Sequence, residues 1–296
     1  MLQLKLLKRI AVGVSLALVA IGFLVLLGYG YTWVVAIPIC ILSMVSIYEI
    51  QNVSGCKNKV LTACNMIFAG LFPFYIAFSE QIEGATFAGF GKVLTGAYVL
   101  AMLILMLKMY DVTKFENVAM GLFASIALPY ALSTLILLFN LLDGYPEYFS
   151  KSMAVYIALI AMFCAWLCDT FAFFIGRSFG KHKMAPKISP KKSIEGAIAG
   201  IVGTTLSSLI AWVICNQFYF HFDTIKWWMV LVFTPFCCVI SMCGDLSASV
   251  IKRNFGVKDF GTLFPEHGGM MDRIDSFIFT MSFTYLAVKT IVSFAI

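Results

Sequence analysis

Asn117-Val-Ala-Met-Gly-Leu-Phe-Ala-Ser-Ile-Ala-Leu-Pro-Tyr-Ala-Leu-Ser-Thr-Leu-Ile-Leu-Leu-Phe-Asn-Leu141 runs without one charged side chain. A helix needs about 20 predominantly apolar residues to cross a bilayer, and this run exceeds that length. Working outward, comparable runs bounded by polar clusters fall at about 10–28, 31–50, 60–78, 86–107, 153–175, 196–216, 227–244 and 276–296. Composition agrees: 61% of the 296 residues are hydrophobic and 12% are charged. Ordinary soluble domains carry about 25% charged residues, so 21 basic and 15 acidic side chains could not cover a soluble globule of this size. Disorder, collagen and a secreted disulfide scaffold are excluded on the same grounds. The expected fold is all-α: a polytopic integral membrane protein of about nine transmembrane helices.

The first run follows Lys5, Lys8 and Arg9, as a signal peptide would. Its apolar stretch is longer than the roughly 7–15 residues of a signal core, and no cleavage site follows, so it reads as a retained anchor. Nine spans put the termini on opposite sides, and loop lysines and arginines choose between the two orientations. With the N-terminus inside, the inner segments hold 17 of the 21 basic residues and the outer loops only Lys92, Lys151 and Lys226. The expectation is therefore a multi-pass protein with a basic cytoplasmic face that meets anionic lipids and metabolites. Nothing in this distribution points to a nucleic-acid partner. Most of the nine cysteines lie within apolar runs, where cysteine packs as a small hydrophobe. Their spacing matches no zinc pattern.

The chain divides by content into two parts. Residues 1–150, about five helices, read as a transmembrane scaffold with few charges; Glu49 sits at the inner end of the second span. Residues 151–296 read as a catalytic region of about four helices and two basic cytoplasmic loops. Asp169 lies near the inner end of the sixth span, where a carboxylate is kept for a partner or an ion; pairing with Arg177 or a loop lysine is the plainer alternative. In Ser189-Pro190-Lys191-Lys192-Ser193-Ile194-Glu195-Gly196, Pro190 predicts a turn, and Ser193 with Glu195 predicts a helix start. Two lysines beside free helix N–H groups make a phosphate seat. Gly196, Gly200 and Gly203 then give the seventh span a thin side for close helix packing.

A third cluster begins at Gly244-Asp245 and includes Ser249, Lys252-Arg253 and Lys258-Asp259. It ends in Pro265-Glu266-His267-Gly268-Gly269-Met270-Met271-Asp272-Arg273-Ile274-Asp275. Asp245, Ser249 and Lys252 share a helix face, as do Asp272 and Asp275. Gly268-Gly269 lets backbone approach a bulky anion. Carboxylates at two helix ends, ringed by lysines, suit a Mg²⁺–polyphosphate, because Mg²⁺ takes one or two carboxylates and completes its shell with water and phosphate oxygens. His267 reads as a phosphate donor rather than a metal ligand, since no His or Cys stands at zinc-like spacing. Walker A and G-x-G-x-x-G patterns are absent.

These residues resemble the phosphatidate cytidylyltransferase family, also called CDP-diacylglycerol synthases. The likeness runs without a gap from Ser249 through Lys252-Arg253, Lys258-Asp259, Gly261, Phe264-Pro265, His267-Gly268-Gly269 and Asp272-Arg273 to Asp275, with Glu266 where many members carry glycine. Ser189-Pro190-Lys191-Lys192-Ser193-x-Glu195-Gly196 resembles a second hallmark, with serine where threonine is common. The matching region, from about Asp169 to Asp275, covers roughly a third of the chain. The resemblance implies transfer of CMP from CTP to phosphatidic acid, giving CDP-diacylglycerol and pyrophosphate. It implies one or two Mg²⁺ ions, with an accompanying monovalent cation as an option, held by Asp245 and Asp272 with Asp275 and Asp169 nearby. Asp245, Asp272, Lys252 and Arg273 would be catalytic. Ser189, Lys191, Lys192, Ser193, Glu195, Ser249, Arg253, Lys258, Asp259, His267, Gly268 and Gly269 would bind substrate, and the family suggests a homodimer. A CTP-dependent lipid or polyprenol kinase and a non-enzymatic carrier of anionic lipid stay open beside this reading.

Overall fold

Backbone in hydrocarbon has no water to bond, so apolar segments this long satisfy themselves as helices. The structure, a computed structural model, describes residues 18–79, 85–220, 224–264 and 268–295. It contains α1 (Leu18–Gly28), α2 (Thr32–Val53), α3 (Lys59–Ser79), α4 (Ala85–Lys108), α5 (Phe115–Asp143) and α6 (Lys151–Phe179). A two-stranded hairpin follows, β1 (Lys183–Ala185) and β2 (Ser189–Ser193), then α7 (Ile194–Ile214), α8 (Trp227–Asn254) and α9 (Met271–Ala295). A π-helical segment, Cys215–Phe220, extends α7. Among the described residues eight helices are long and apolar enough to span a bilayer, and α1 is a shorter apolar helix. The chain is an all-α polytopic membrane protein. The basic start and the first part of the expected anchor lie outside the described residues.

Two boundaries differ from the hydropathy reading. The eighth run was bounded at residue 244 by Asp245, yet α8 continues to Asn254; the ninth helix starts at Met271, ahead of the apolar run. Hydropathy stops at the first charge, whereas the helical hydrogen-bond ladder continues wherever the charged side chain finds a partner. A third difference is local. Pro190 does not make the turn; it lies inside β2, and the turn is 186–188, closed by Ile188 N–H donating to the Ala185 carbonyl at 3.2 Å. Both strands of a two-stranded sheet are edges, where proline's missing N–H is tolerated.

The chain divides into two compact units. The first comprises residues 1–136 and 259–272, the second 137–258 and 273–296. In the first, α3 packs against α2 and α4. Its core is Leu61, Phe68, Tyr98, Met102 and Val118, with Phe68 and Tyr98 stacked at 4.0 Å between ring centroids. The Tyr98 hydroxyl donates to Asn65 Oδ1 at 2.8 Å, so the buried phenol is satisfied. Asn58 starts α3 by accepting from Val60 and Leu61 N–H, and its amide donates to Thr113 Oγ1 at 2.7 Å.

In the second unit α6, α7 and α8 pack on one another. Cys164, Cys168, Cys237 and Cys238 are all fully buried there with Tyr156, Ile160 and Met242, which is the packing role expected of them; all nine cysteines are free thiols. The small face of α7 meets α6 as expected: a Cβ on Gly196 would lie 2.6 Å from the Ala172 carbonyl, and one on Gly200 2.8 Å from that of Cys168. Ile194, Ile198, Val202, Leu206 and Ile210 form an exposed stripe on the same helix, while Gly200, Thr204 and Ser208 are buried. Small residues inside and large apolar ones outside is the arrangement for helices in lipid, where close backbone packing rather than hydrophobic exclusion drives association.

Candidate active site

In the second unit the hairpin is anchored at its base. Ser193 caps α7 by accepting from Gly196 N–H at 3.2 Å. The sequence expectation of a helix start at Ser193–Glu195 is met. Glu195 turns back on the start of the hairpin, accepting from Lys181 N–H at 3.1 Å and His182 N–H at 3.2 Å, with His182 Nδ1 at 2.6 Å. Two glycines make room for this junction: a Cβ on Gly180 would lie 2.5 Å from Ser193 Oγ, and one on Gly176 2.9 Å from it. Glu195 and Ser193 are thus engaged in holding the hairpin, and His182, which sequence reasoning left without a role, is part of the same clasp.

The clasp directs Lys192 onto α8, where its ammonium forms an ion pair with Asp245 Oδ2. Both side chains are mostly buried, at 24% and 20% exposure. Arg253 on the last turn of α8 donates from Nε to the Ile188 carbonyl at 3.3 Å, tying the hairpin turn to the helix end. Ser249 and Lys252, on the Asp245 face, are buried; Lys191, Arg253, Lys258 and Arg273 are exposed, and Ser189 is half-buried. Near the start of α9, Ser276 Oγ donates to Asp169 Oδ2 on α6 at 3.4 Å, and Ser276 N–H donates to Asp275 Oδ1 at 2.7 Å. One unit therefore gathers a basic hairpin, the carboxylate of Asp245 and a second carboxylate on α6. Charges of both signs at the ends of rigid helices are suited to binding a polyanion and orienting it.

The glycine-rich part of the signature belongs to the first unit. Asp272 Oδ2 accepts from Phe260 N–H at 2.8 Å and Gly269 N–H at 2.9 Å. Gly268 has φ +79°, and a Cβ there would lie 2.8 Å from the same oxygen, so glycine is required on both counts. Asp259 is exposed and its Cβ borders Gly268. His267 lies outside the described residues. Glu49 of α2 reaches this loop: its two oxygens accept from Met270 and Met271 N–H, each at 2.9 Å. Sequence reasoning placed Glu49 in scaffold; the signal it offered was a lone acid at the end of an otherwise uncharged span. Among the described residues no three His, Cys, Asp or Glu side chains are grouped to hold a metal ion.

Comparison with known proteins bears on this arrangement. A sequence model of the Cytidylyltransferase family matches residues 7–291, nearly the whole chain. The chain belongs to the cytidylyltransferase family. Individual relatives are similar over a shorter stretch. A 134-residue stretch is 38% identical to a phosphatidate cytidylyltransferase of Staphylococcus saprophyticus and 41% identical to that of Staphylococcus haemolyticus, covering 45% of this chain and 49% of each relative. Over 132 residues the identity to the Thermotoga maritima phosphatidate cytidylyltransferase is 35%, covering 48% of that protein. The match spans about half the length of these curated relatives. Membership in the cytidylyltransferase family accords with the resemblance carried by the two signature segments.

Proposed function

We propose that this protein transfers the cytidylyl group of CTP to phosphatidic acid at the cytoplasmic face of a bacterial inner membrane, releasing pyrophosphate and forming CDP-diacylglycerol. The observation that carries the reading is the Lys192–Asp245 pair, which in a cytidylyltransferase-family chain brings the first signature segment onto α8, the helix on which the second begins at Ser249. A phosphatidate oxygen attacks the α-phosphorus of CTP, and the bond to the β-phosphate oxygen breaks. The attacking oxygen is already ionised at neutral pH, so positioning and charge neutralisation supply most of what the step needs. Lys191, Lys192, Lys252, Arg253, Lys258 and Arg273 would neutralise the triphosphate and the lipid phosphate.

The donor set fits Mg²⁺. Hard carboxylate oxygens are present on α8, α9 and α6, and this ion takes one or two carboxylates and completes its shell with water and phosphate oxygens. Asp245 and Asp272 would hold it, with Asp275 and Asp169 as further ligands or orienting groups. When bound, the ion supplies charge stabilisation on the phosphates. A homodimer, suggested by the family, and an accompanying monovalent cation belong to the same proposal.

The test incubates the purified protein with α-labelled CTP, phosphatidate vesicles and Mg²⁺. Label passing into a chloroform-soluble product together with pyrophosphate is expected. CDP release without lipid labelling would instead make the protein a lipid kinase, and no turnover with retained lipid binding would make it a carrier.

A further inference from the structure

We infer that Glu49 is a positioning residue for the reaction: a carboxylate of the apparent scaffold sets the geometry of the signature loop and of the α9 turn carrying Asp272. All the groups involved lie within the first unit. Glu49 is 5% exposed at the end of a span, and a carboxylate in such a place is costly unless hydrogen-bonded. It is satisfied by two backbone N–H groups at the start of α9, from residues 221 and 222 positions away. The first N–H groups of a helix lack intrahelical partners and carry the positive end of its dipole, so an acid is favoured there.

Two further features show a built contact. A Cβ on Gly261 would lie 2.4 Å from Glu49 Oε1, and one on Gly269 2.4 Å from Oε2, so both signature glycines are where any side chain would displace this carboxylate. The adjoining Gly269 N–H and Phe260 N–H go to Asp272. Two carboxylates thus gather four loop N–H groups, three of them consecutive. Asp272 holds the loop from its own helix, and Glu49 holds it from α2. Loss of Glu49 frees the start of α9 and shifts Asp272, a displacement that costs the transition state more than the ground state.

The effect on rate rests on the cytidylyl-transfer reading; the effect on the loop does not. Full-length protein in nanodiscs carrying Glu49→Gln or Glu49→Asp is compared with wild type by hydrogen exchange and by label transfer from CTP. For Glu49→Gln, exchange of the 259–272 peptide should accelerate about tenfold or more while α6 stays protected, and kcat should fall about 10–100-fold with the CTP KM changed less than about threefold. Glu49→Asp, which keeps both acceptors on a shorter stem, should recover part of both. Gly269→Ala, which leaves Glu49 in place but drives a methyl into it, should reproduce the same pair of losses and covers the case in which Glu49→Gln does not fold. Unchanged loop exchange, or a loosened loop with wild-type kcat, overturns the inference. A wild-type protein with no label transfer would sink the cytidylyl-transfer reading, while the exchange data would still decide the clamp.

Discussion

Lys192 and Asp245 meet because a capped helix start and a glycine-lined junction aim the end of β2 at α8. Removing one member leaves the other charge without its partner in a mostly buried place; for a pair about a fifth exposed the loss should be about 1–3 kcal/mol, below the roughly 3–5 of a fully buried pair. Lys192→Met and Asp245→Asn should each lower the melting temperature in detergent, and the double variant should melt above at least one of the singles. All three should transfer less than about 1% of the wild-type label, since positioned charge is the main contribution to this kind of step. A fully active single variant would remove that residue from the site. Asp272→Ala strips two loop N–H groups of their acceptor, at about 1–3 kcal/mol, and should abolish turnover while the protein remains monodisperse on size exclusion. At this scale the candidate residues were legible because charges are rare in so apolar a chain. Their partners were not: Glu195 facing Lys181 and His182, and Glu49 facing the signature loop, are contacts that no local spacing encodes.

At the scale of elements, helix termini moved relative to the hydropathy runs and helix faces did not. The thin side of α7 follows from glycine spacing alone, and Gly200 sits against the Cys168 carbonyl. Gly200→Leu should therefore lower the melting temperature by several degrees, since overpacking a fitted interface costs about 1–3 kcal/mol. Gly89→Ala on α4, where a new Cβ meets nothing within 4 Å, should be neutral or slightly stabilising. Equal melting shifts for the two would contradict the packing role of the stripe. The short hairpin was invisible to hydropathy because its short polar strands carry no apolar alternation, and Pro190 was misplaced in a turn because proline equally suits an edge strand.

For the whole molecule, the excess of lysine and arginine on alternate loops predicts an orientation that vesicle labelling can check. A membrane-impermeant maleimide should modify Lys187→Cys in inside-out vesicles and Lys151→Cys in right-side-out ones, each above the wild-type background; the reverse pattern would refute the proposed topology. The second signature passes from one compact unit to the other and back, at 258/259 and at 272/273. By itself the sequence determined that this is a many-span helical membrane protein, where its charges cluster and which family it joins, because run length, composition and motif spacing are local properties of the chain. Only the tertiary structure decided which charges meet. The Lys192–Asp245 pair and the hold of Glu49 on Met270 and Met271 join residues far apart in the chain, so they depend on how the elements that carry them pack and not on any local spacing.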